Sequence, residues 1–262
     1  MSAVPLADGM FRRHVWSHLH FPEVEMQAIN SFPAGSFDIA VDVGAAQGLF
    51  TWILSRKSRS VYAFEPGMVL GRLMRWSTPL SNVSFQQQAV GDSPGTVRLF
   101  TPSTGLFGAT VSVLSPVAKG DRVSVNEVQQ VRLDEALAAP LAEGRSVDFV
   151  KIDVEGYELN VLKGAARLIR QCHPVVLCEI ERRHNPHTAA VFQELRGLGY
   201  RCHVISDGKL KPFDEDDVVG VQQDRSNPAL PYLNNFLFQH PSSRVDVAGL
   251  LSTALGNLAA RG

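Results

Sequence analysis

Apolar positions change their spacing along this chain. From residue 37 onward, short continuous apolar runs alternate with stretches in which apolar residues recur at helical spacing. FDIAVDVG (37–44), SVYAFEP (60–66), VSFQQQAVGD (83–92), VDFVKIDV (147–154), PVVLCEI (174–180) and NNFLFQH (234–240) read as strands. GLFTWILSRK (48–57), MVLGRLMRWS (68–77), YELNVLKGAARLIRQC (157–172) and TAAVFQELRGLGY (188–200) read as helices. In the third of these, Leu159, Leu162, Ala166 and Ile169 make one apolar stripe. RCHVIS and KLKPF flank Asp207-Gly208 and read as a hairpin. Strands alternating with helices imply an α/β fold, a mostly parallel sheet with helices on both faces.

Three segments fall outside this rhythm. Residues 1–36 read as a helical extension, with Phe11, Val15, Trp16 and Leu19 on one helical face and PEVEMQAINSF as a second short helix. Residues 93–132 interrupt the alternation. They begin with an extended TVRLF and end with an extended VQQVRL, and the loop-like stretch between them carries Leu106 and Phe107. This insertion is expected to act as a lid. Residues 241–262 read as a peripheral helix, which leaves 37–240 as the main domain.

Composition narrows the function. The 262 residues are 45% hydrophobic, enough for a substantial core. A net charge of −1 gives no basic excess for a phosphate backbone, so no nucleic-acid partner is expected. Cys172, Cys178 and Cys202 form no CxxC pair and read as free thiols of a reducing compartment. There is no apolar run long enough to span a membrane, and MSAVPLADGMFRRHVWSHLHF lacks the apolar centre of a signal peptide, so the expected location is cytoplasmic.

The candidate chemistry sits at strand ends. VDVGAAQG (41–48) joins the first strand to the first helix and lacks the G-x-G-x-x-G spacing of a dinucleotide site, because Ala46 breaks it. Gly44 allows close approach of a ligand, and the helix start is expected to offer free amides to an anion. Asp42 is placed to accept from an ammonium group, Glu65 at the end of the second strand from ribose hydroxyls, and Asp92 after the third strand from an adenine amine. Ammonium, ribose and adenine together describe S-adenosylmethionine.

VDVGAAQGLFT, YAFEP, QAVGD, DFVKIDVEGYELNVLKGA, VVLCEI and NFLF occur in this order, and together they resemble the FkbM family of S-adenosylmethionine-dependent O-methyltransferases. KIDVEGYE…VLKGA is the most specific part, and the resemblance covers about residues 37–240. It implies a Rossmann-like class I methyltransferase sheet of seven strands, the last antiparallel and beside the sixth. It also implies cofactor contacts at Asp42, Gly44, Ala45, Gly48, Glu65 and Asp92, and methylation of a hydroxyl on a small molecule, sugar or glycan.

Methyl transfer needs an aligned acceptor oxygen and somewhere for its proton to go. Phe149, Lys151 and Asp153 share one face of their strand, with Asp153 at its carboxyl end. Asp153 is the first candidate for orienting or deprotonating the acceptor, with Lys151 holding it ionised. Glu179, at the end of the next strand, and His184, in RRHNPH (182–187), are further catalytic candidates, beside Arg182 and Arg183 as partners for an anionic acceptor. Glu158 is expected at a helix start or in a salt bridge with Lys151. A divalent metal held by Asp153, Glu155 and Glu179 is the less favoured alternative. A nicotinamide-dependent oxidoreductase and a non-catalytic S-adenosylmethionine-binding protein are the competing readings.

Overall fold

The computed structural model describes residues 23–67, 81–102, 123–183, 185, 188–222 and 232–260. The helices expected near Phe11–Leu19 and at 68–77, the centre of the expected lid including Leu106 and Phe107, and His184 and His187 lie outside the described residues.

The described chain starts with α1 (Val24–Asn30), β1 (Phe37–Val43), α2 (Leu49–Ser55), β2 (Ser58–Phe64), β3 (Val83–Gln86) and β4 (Ala89–Val90). The insertion follows as β5 (Gly95–Pro102) and β6 (Val123–Val131), then α3 (Leu133–Ala136) and α4 (Ala138–Ala142). The second half of the sheet is built by β7 (Val147–Ile152), α5 (Glu158–Gly164), α6 (Ala166–Cys172), β8 (Val175–Glu179), α7 (Thr188–Gly197) and β9 (Arg201–Ser206). The chain closes with β10 (Lys209–Pro212), α8 (Val218–Val221), β11 (Asn235–Gln239) and α9 (Val247–Ala259).

The main sheet has the order β10-β9-β11-β8-β7-β1-β2-β3. Strands β3, β2, β1, β7 and β8 run parallel, and β11 is antiparallel between β8 and β9. These are the seven strands the sequence implied, with the last beside the sixth. The hairpin strand β10 adds an eighth at the edge, turning at Asp207-Gly208. Strand order reverses between β1 and β7, which opens a crevice at their carboxyl ends, where α/β sheets bind ligands.

Each face of the sheet has its own core. Val41, Val43, Val150, Ile152 and Val176 point to the face covered by α3 and α5–α7. Phe37, Ala40, Phe149, Val175, Leu177 and Leu237 point to the face covered by α1, α2 and α9. Because strand side chains alternate, Lys151 falls on the second face, directly above Phe149. Helix α9 packs Val247, Leu251, Ala254 and Leu255 into this same core.

Two elements differ from the sequence reading. VSFQQQAVGD is not one strand. Its run of three glutamines offers no apolar side to the core, and the chain breaks there. Strand β3 stays in the main sheet, while β4 joins a second sheet of order β4-β6-β5. The insertion is therefore more regular than a loop: VSVNEV is strand, paired antiparallel to β5 from Gly95↔Gln130 to Pro102↔Val123. The helix over 157–172 is also divided. It stops at Gly164, where a Cβ would sit 2.0 Å from the carbonyl oxygen of Gly91, and restarts after Ala165. The apolar stripe survives the break, with Leu162 and Ile169 in one core.

Candidate active site

The loop after β1 is held closed from within. Gly44 and Ala45 both donate their amides to the Phe64 carbonyl, at 2.9 and 3.0 Å. Ala46 donates to Glu65 Oε2 at 2.9 Å, and Gly48 to the Ala45 carbonyl at 2.7 Å. Four loop donors are thus already used, and they fix the loop's shape; the free amides expected for an anion are those of the helix start that follows, from Leu49 onward. Gly44 and Gly48 adopt φ of 80° and 82°, the left-handed region that glycine enters without penalty. A Cβ on Gly44 would lie 1.8 Å from the Asp153 carbonyl oxygen, so the loop rests directly on the backbone that follows β7. Asp153 also donates its amide to the Val43 carbonyl at 2.9 Å.

Beneath this loop lies Asp42, 1% exposed, which accepts a hydrogen bond from the Thr51 hydroxyl of α2. Burial pushes its carboxyl up to about 6, against the lowering pull of Thr51 and Lys151. Glu65 spans the crevice wall, accepting from Ala46 with one oxygen and from Gly67 with the other, at 2.7 Å. Burial drives it up to about 7. The Gly67 and Ala46 amides oppose this, and the charges of Asp42 and Asp153 add to it. Asp92, at the β4–β5 turn, accepts from Asn160 of α5 at 3.1 Å, and its carbonyl accepts from Arg132 at 2.7 Å. Asp92 therefore stands on the inserted sheet and on α5 together.

At the end of β7 and β8 the sequence candidates converge. The Lys151 ammonium, on a residue 2% exposed, lies 3.7 Å from Asp153 Oδ2 and 4.0 Å from Glu179 Oε2. Its nearest acceptor is Asn235 Oδ1 on β11, at 3.2 Å, and the Phe50 ring centroid lies 5.6 Å away. Burial alone would lower the Lys151 pKa, but Asp153, Glu179 and Glu23 reverse that and hold it firmly protonated. Glu179 is pushed up to about 8 by burial and by Asp153, with which it shares a hydrogen bond, while Lys151 opposes the shift. The Asp153 side chain is 36% exposed, the most open member of the group. Asn234 donates to Glu179 Oε1 at 2.6 Å and reaches Glu181 at 3.4 Å. Glu181 in turn pairs with Arg183.

Glu155 and Glu158 separate from this group. Glu158 is 1% exposed and accepts from the Gly156 amide at 2.6 Å and from Asn185 at 3.0 Å. It fastens the turn into α5, and its salt bridge with Lys151 does not form. Glu155 takes a left-handed φ of 49°, and its charge acts on Arg183. Among the described residues, no three His, Cys, Asp or Glu side chains are arranged to hold a metal ion. Sequence reasoning missed Thr51, Asn234, Asn235 and Glu23. The Asn234-Asn235 pair at a strand entrance was the available signal, and only the position of β11 beside β8 gives it meaning.

A family model described as Methyltransferase FkbM domain matches residues 42–202, from the buried Asp42 to the start of β9. The chain belongs to this family. Methyltransferase sdnD of Sordaria araneosa is 31% identical over 166 residues. That match covers 52% of this chain and 62% of sdnD, so the chain spans less than two thirds of this relative. A solved methyltransferase FkbM from Methylobacillus flagellatus KT superposes with a TM-score of 0.49 and 15% identity, over 86% of this chain and 48% of that one. An rRNA methylase from Streptococcus thermophilus superposes with a TM-score of 0.47 and 10% identity, over 85% and 98% of the two chains. The FkbM match excludes α1, β10, β11 and α9, so Glu23, Asn234 and Asn235 lie outside it. No described helix is long and apolar enough to cross a membrane.

Proposed function

We propose that this FkbM domain is an S-adenosylmethionine-dependent O-methyltransferase whose acceptor is a hydroxyl of a small molecule, sugar or glycan. One observation carries the reading. Four carboxyl groups, Asp42, Glu65, Asp153 and Glu179, converge on the crevice at the β1/β7 reversal, and three of them are pushed up. Among the described residues, Lys151 is the one buried ammonium between them. Burial is the main cause, so a ligand bearing positive charge offsets the cost of ionising these acids, whereas the pyrophosphate of a dinucleotide would add to it. The donor supplies an activated methyl group and its own leaving group. Asp42 and the Gly44 loop support its amino-acid end, Glu65 its ribose, and Asp92 its adenine.

The chain's own contribution is then placement and proton removal. The exposed Asp153 carboxylate orients the acceptor hydroxyl and takes its proton as the oxygen bonds to the methyl carbon. Glu179 shares that proton through its hydrogen bond to Asp153, and Lys151 balances the charge of the pair. Asp153→Asn is expected to lower methyl transfer by roughly 10²–10⁴-fold while changing cofactor affinity little. The test combines calorimetric titration with S-adenosylmethionine and a labelled-methyl transfer assay on small-molecule and glycan extracts. No heat of binding in the native chain, or unchanged affinity in Glu65→Ala, would overturn the cofactor assignment. Full transfer by Asp153→Asn would remove Asp153 from the chemistry.

A further inference from the structure

Lys151 sits beside two carboxylates without closing on either. Charge-assisted N–H···O contacts settle near 2.7–2.9 Å. Its ammonium stays 3.7 Å from Asp153 and 4.0 Å from Glu179. Its closest acceptor is instead the neutral Asn235 Oδ1, at 3.2 Å. The other end of that amide donates from Nδ2 to Glu23 Oε2, at 3.3 Å. This orientation suits both neighbours. A flipped amide would set NH₂ against the ammonium and C=O against a carboxylate. Asn235 stands opposite Glu179 in the β11–β8 ladder, and Glu23 precedes the first residue of α1, so two elements outside the FkbM match reach the catalytic group.

We propose that Asn235, backed by Glu23, is a positioning residue that holds the Lys151 ammonium off the Asp153–Glu179 pair and so keeps that pair able to accept a proton. A carboxylate locked in a direct ion pair is a weaker base, because its charged form is the stabilised one. The clamp keeps the positive charge close enough to balance the site and too far to quench it. The surroundings of Lys151 agree with this. Asp42 faces it from β1, the Phe50 ring from α2, and Glu23 and Glu25 from the α1 segment. Glu179 faces it from β8, and Asp153 from the end of β7, while Cys178 lies on the opposite face of β8. Only Asn235 is within hydrogen-bond distance of its ammonium among the described residues.

The inference rests on the proposed role of Asp153 and Glu179, but it is tested without an acceptor. Carboxyl-carbon NMR titration of the full chain, labelled at aspartate and glutamate, reads the pair directly, with Glu179→Gln assigning the signal. In the native chain the Glu179 midpoint is expected above the usual carboxylate range, because the group is buried beside Asp153. In Asn235→Ala the ammonium closes on the pair, and the Glu179 midpoint falls by about one pH unit or more. Glu23→Gln loosens the same clamp from a partly exposed position, keeps the core intact, and gives a smaller fall in the same direction. Unchanged or raised midpoints in both variants overturn the clamp. Calorimetry with S-adenosylmethionine on the same samples keeps the two questions apart. Shifted midpoints in a chain that binds no S-adenosylmethionine would leave the clamp standing and sink the methyltransferase reading.

Discussion

Gly44 and Gly164 lack side chains because other backbone fills the space. A Cβ on Gly44 meets the Asp153 carbonyl oxygen, and a Cβ on Gly164 meets that of Gly91. Gly44→Ala adds a left-handed backbone cost of about 1–2 kcal/mol to that clash, so a loss of at least about 2 kcal/mol is expected in urea unfolding. Gly197→Ala is the control. Its site is open and helical, and alanine there is expected to leave stability unchanged or raise it by up to about 1 kcal/mol. A similar loss in both would remove the packing argument. At this scale the sequence was partly transparent. Strand alternation alone put Lys151 and Asp153 on one face, and the end of PVVLCEI put Glu179 beside them. Asn235 and Glu23 were opaque, because they lie 84 and 128 positions from Lys151 and meet it only through the insertion of β11 and the docking of α1.

Among the elements, the turn between β7 and α5 has the most to organise in the fewest residues. Glu155 and Gly156 both adopt positive φ, 49° and 97°, and the buried Glu158 carboxylate holds the Gly156 amide. Glu158→Ala is expected to lower stability by about 1–3 kcal/mol, since the buried Gly156 amide loses its acceptor. Hydrogen exchange should show the effect concentrated at residues 154–158. Protection there equal to the native chain would contradict it. The sequence located this turn correctly but left Glu158 between a helix-start role and an ion pair. The choice depended on the distance to Asn185 and on competition for Lys151 from Asp153 and Glu179, neither of which is a local property. The division of the 157–172 helix was likewise hidden, because its cause is the Gly91 carbonyl on another element.

For the molecule as a whole, the crevice has a cost. A buried acid with a raised pKa binds its proton more tightly when folded than when unfolded. The stability it gives is complete below its unfolded value and is lost as pH rises through its folded value. That window runs from 3.8 to about 6 for Asp42, and from 4.5 to about 7 and about 8 for Glu65 and Glu179. The ligand-free chain is therefore expected to melt at progressively lower temperature from pH 5 to pH 8. Glu65→Gln should flatten part of that slope, by up to about 3 kcal/mol across the range. A melting temperature that rises over this interval would exclude the assignment. The architecture itself was legible from strand–helix alternation. The second sheet was not, because its pairing of β5 with β6 spans the insertion and leaves only two extended segments to read.

The seam between the Gly44 loop and Asp153 also bears on how such a protein diversifies. On the proposed roles, the Gly44 loop that would cradle the methyl donor and the Asp153 that would meet the acceptor are joined through Val43, whose carbonyl accepts the Asp153 amide at 2.9 Å. Their separation is thus inherited from two adjacent parallel strands, and no hinge or domain closure is needed to set it. Loops and insertions around the rim can then be exchanged to admit new acceptors while the line of transfer stays in register. In engineering terms, the proposed roles make acceptor scope and transfer geometry separate variables, with only the first open to change at the surface.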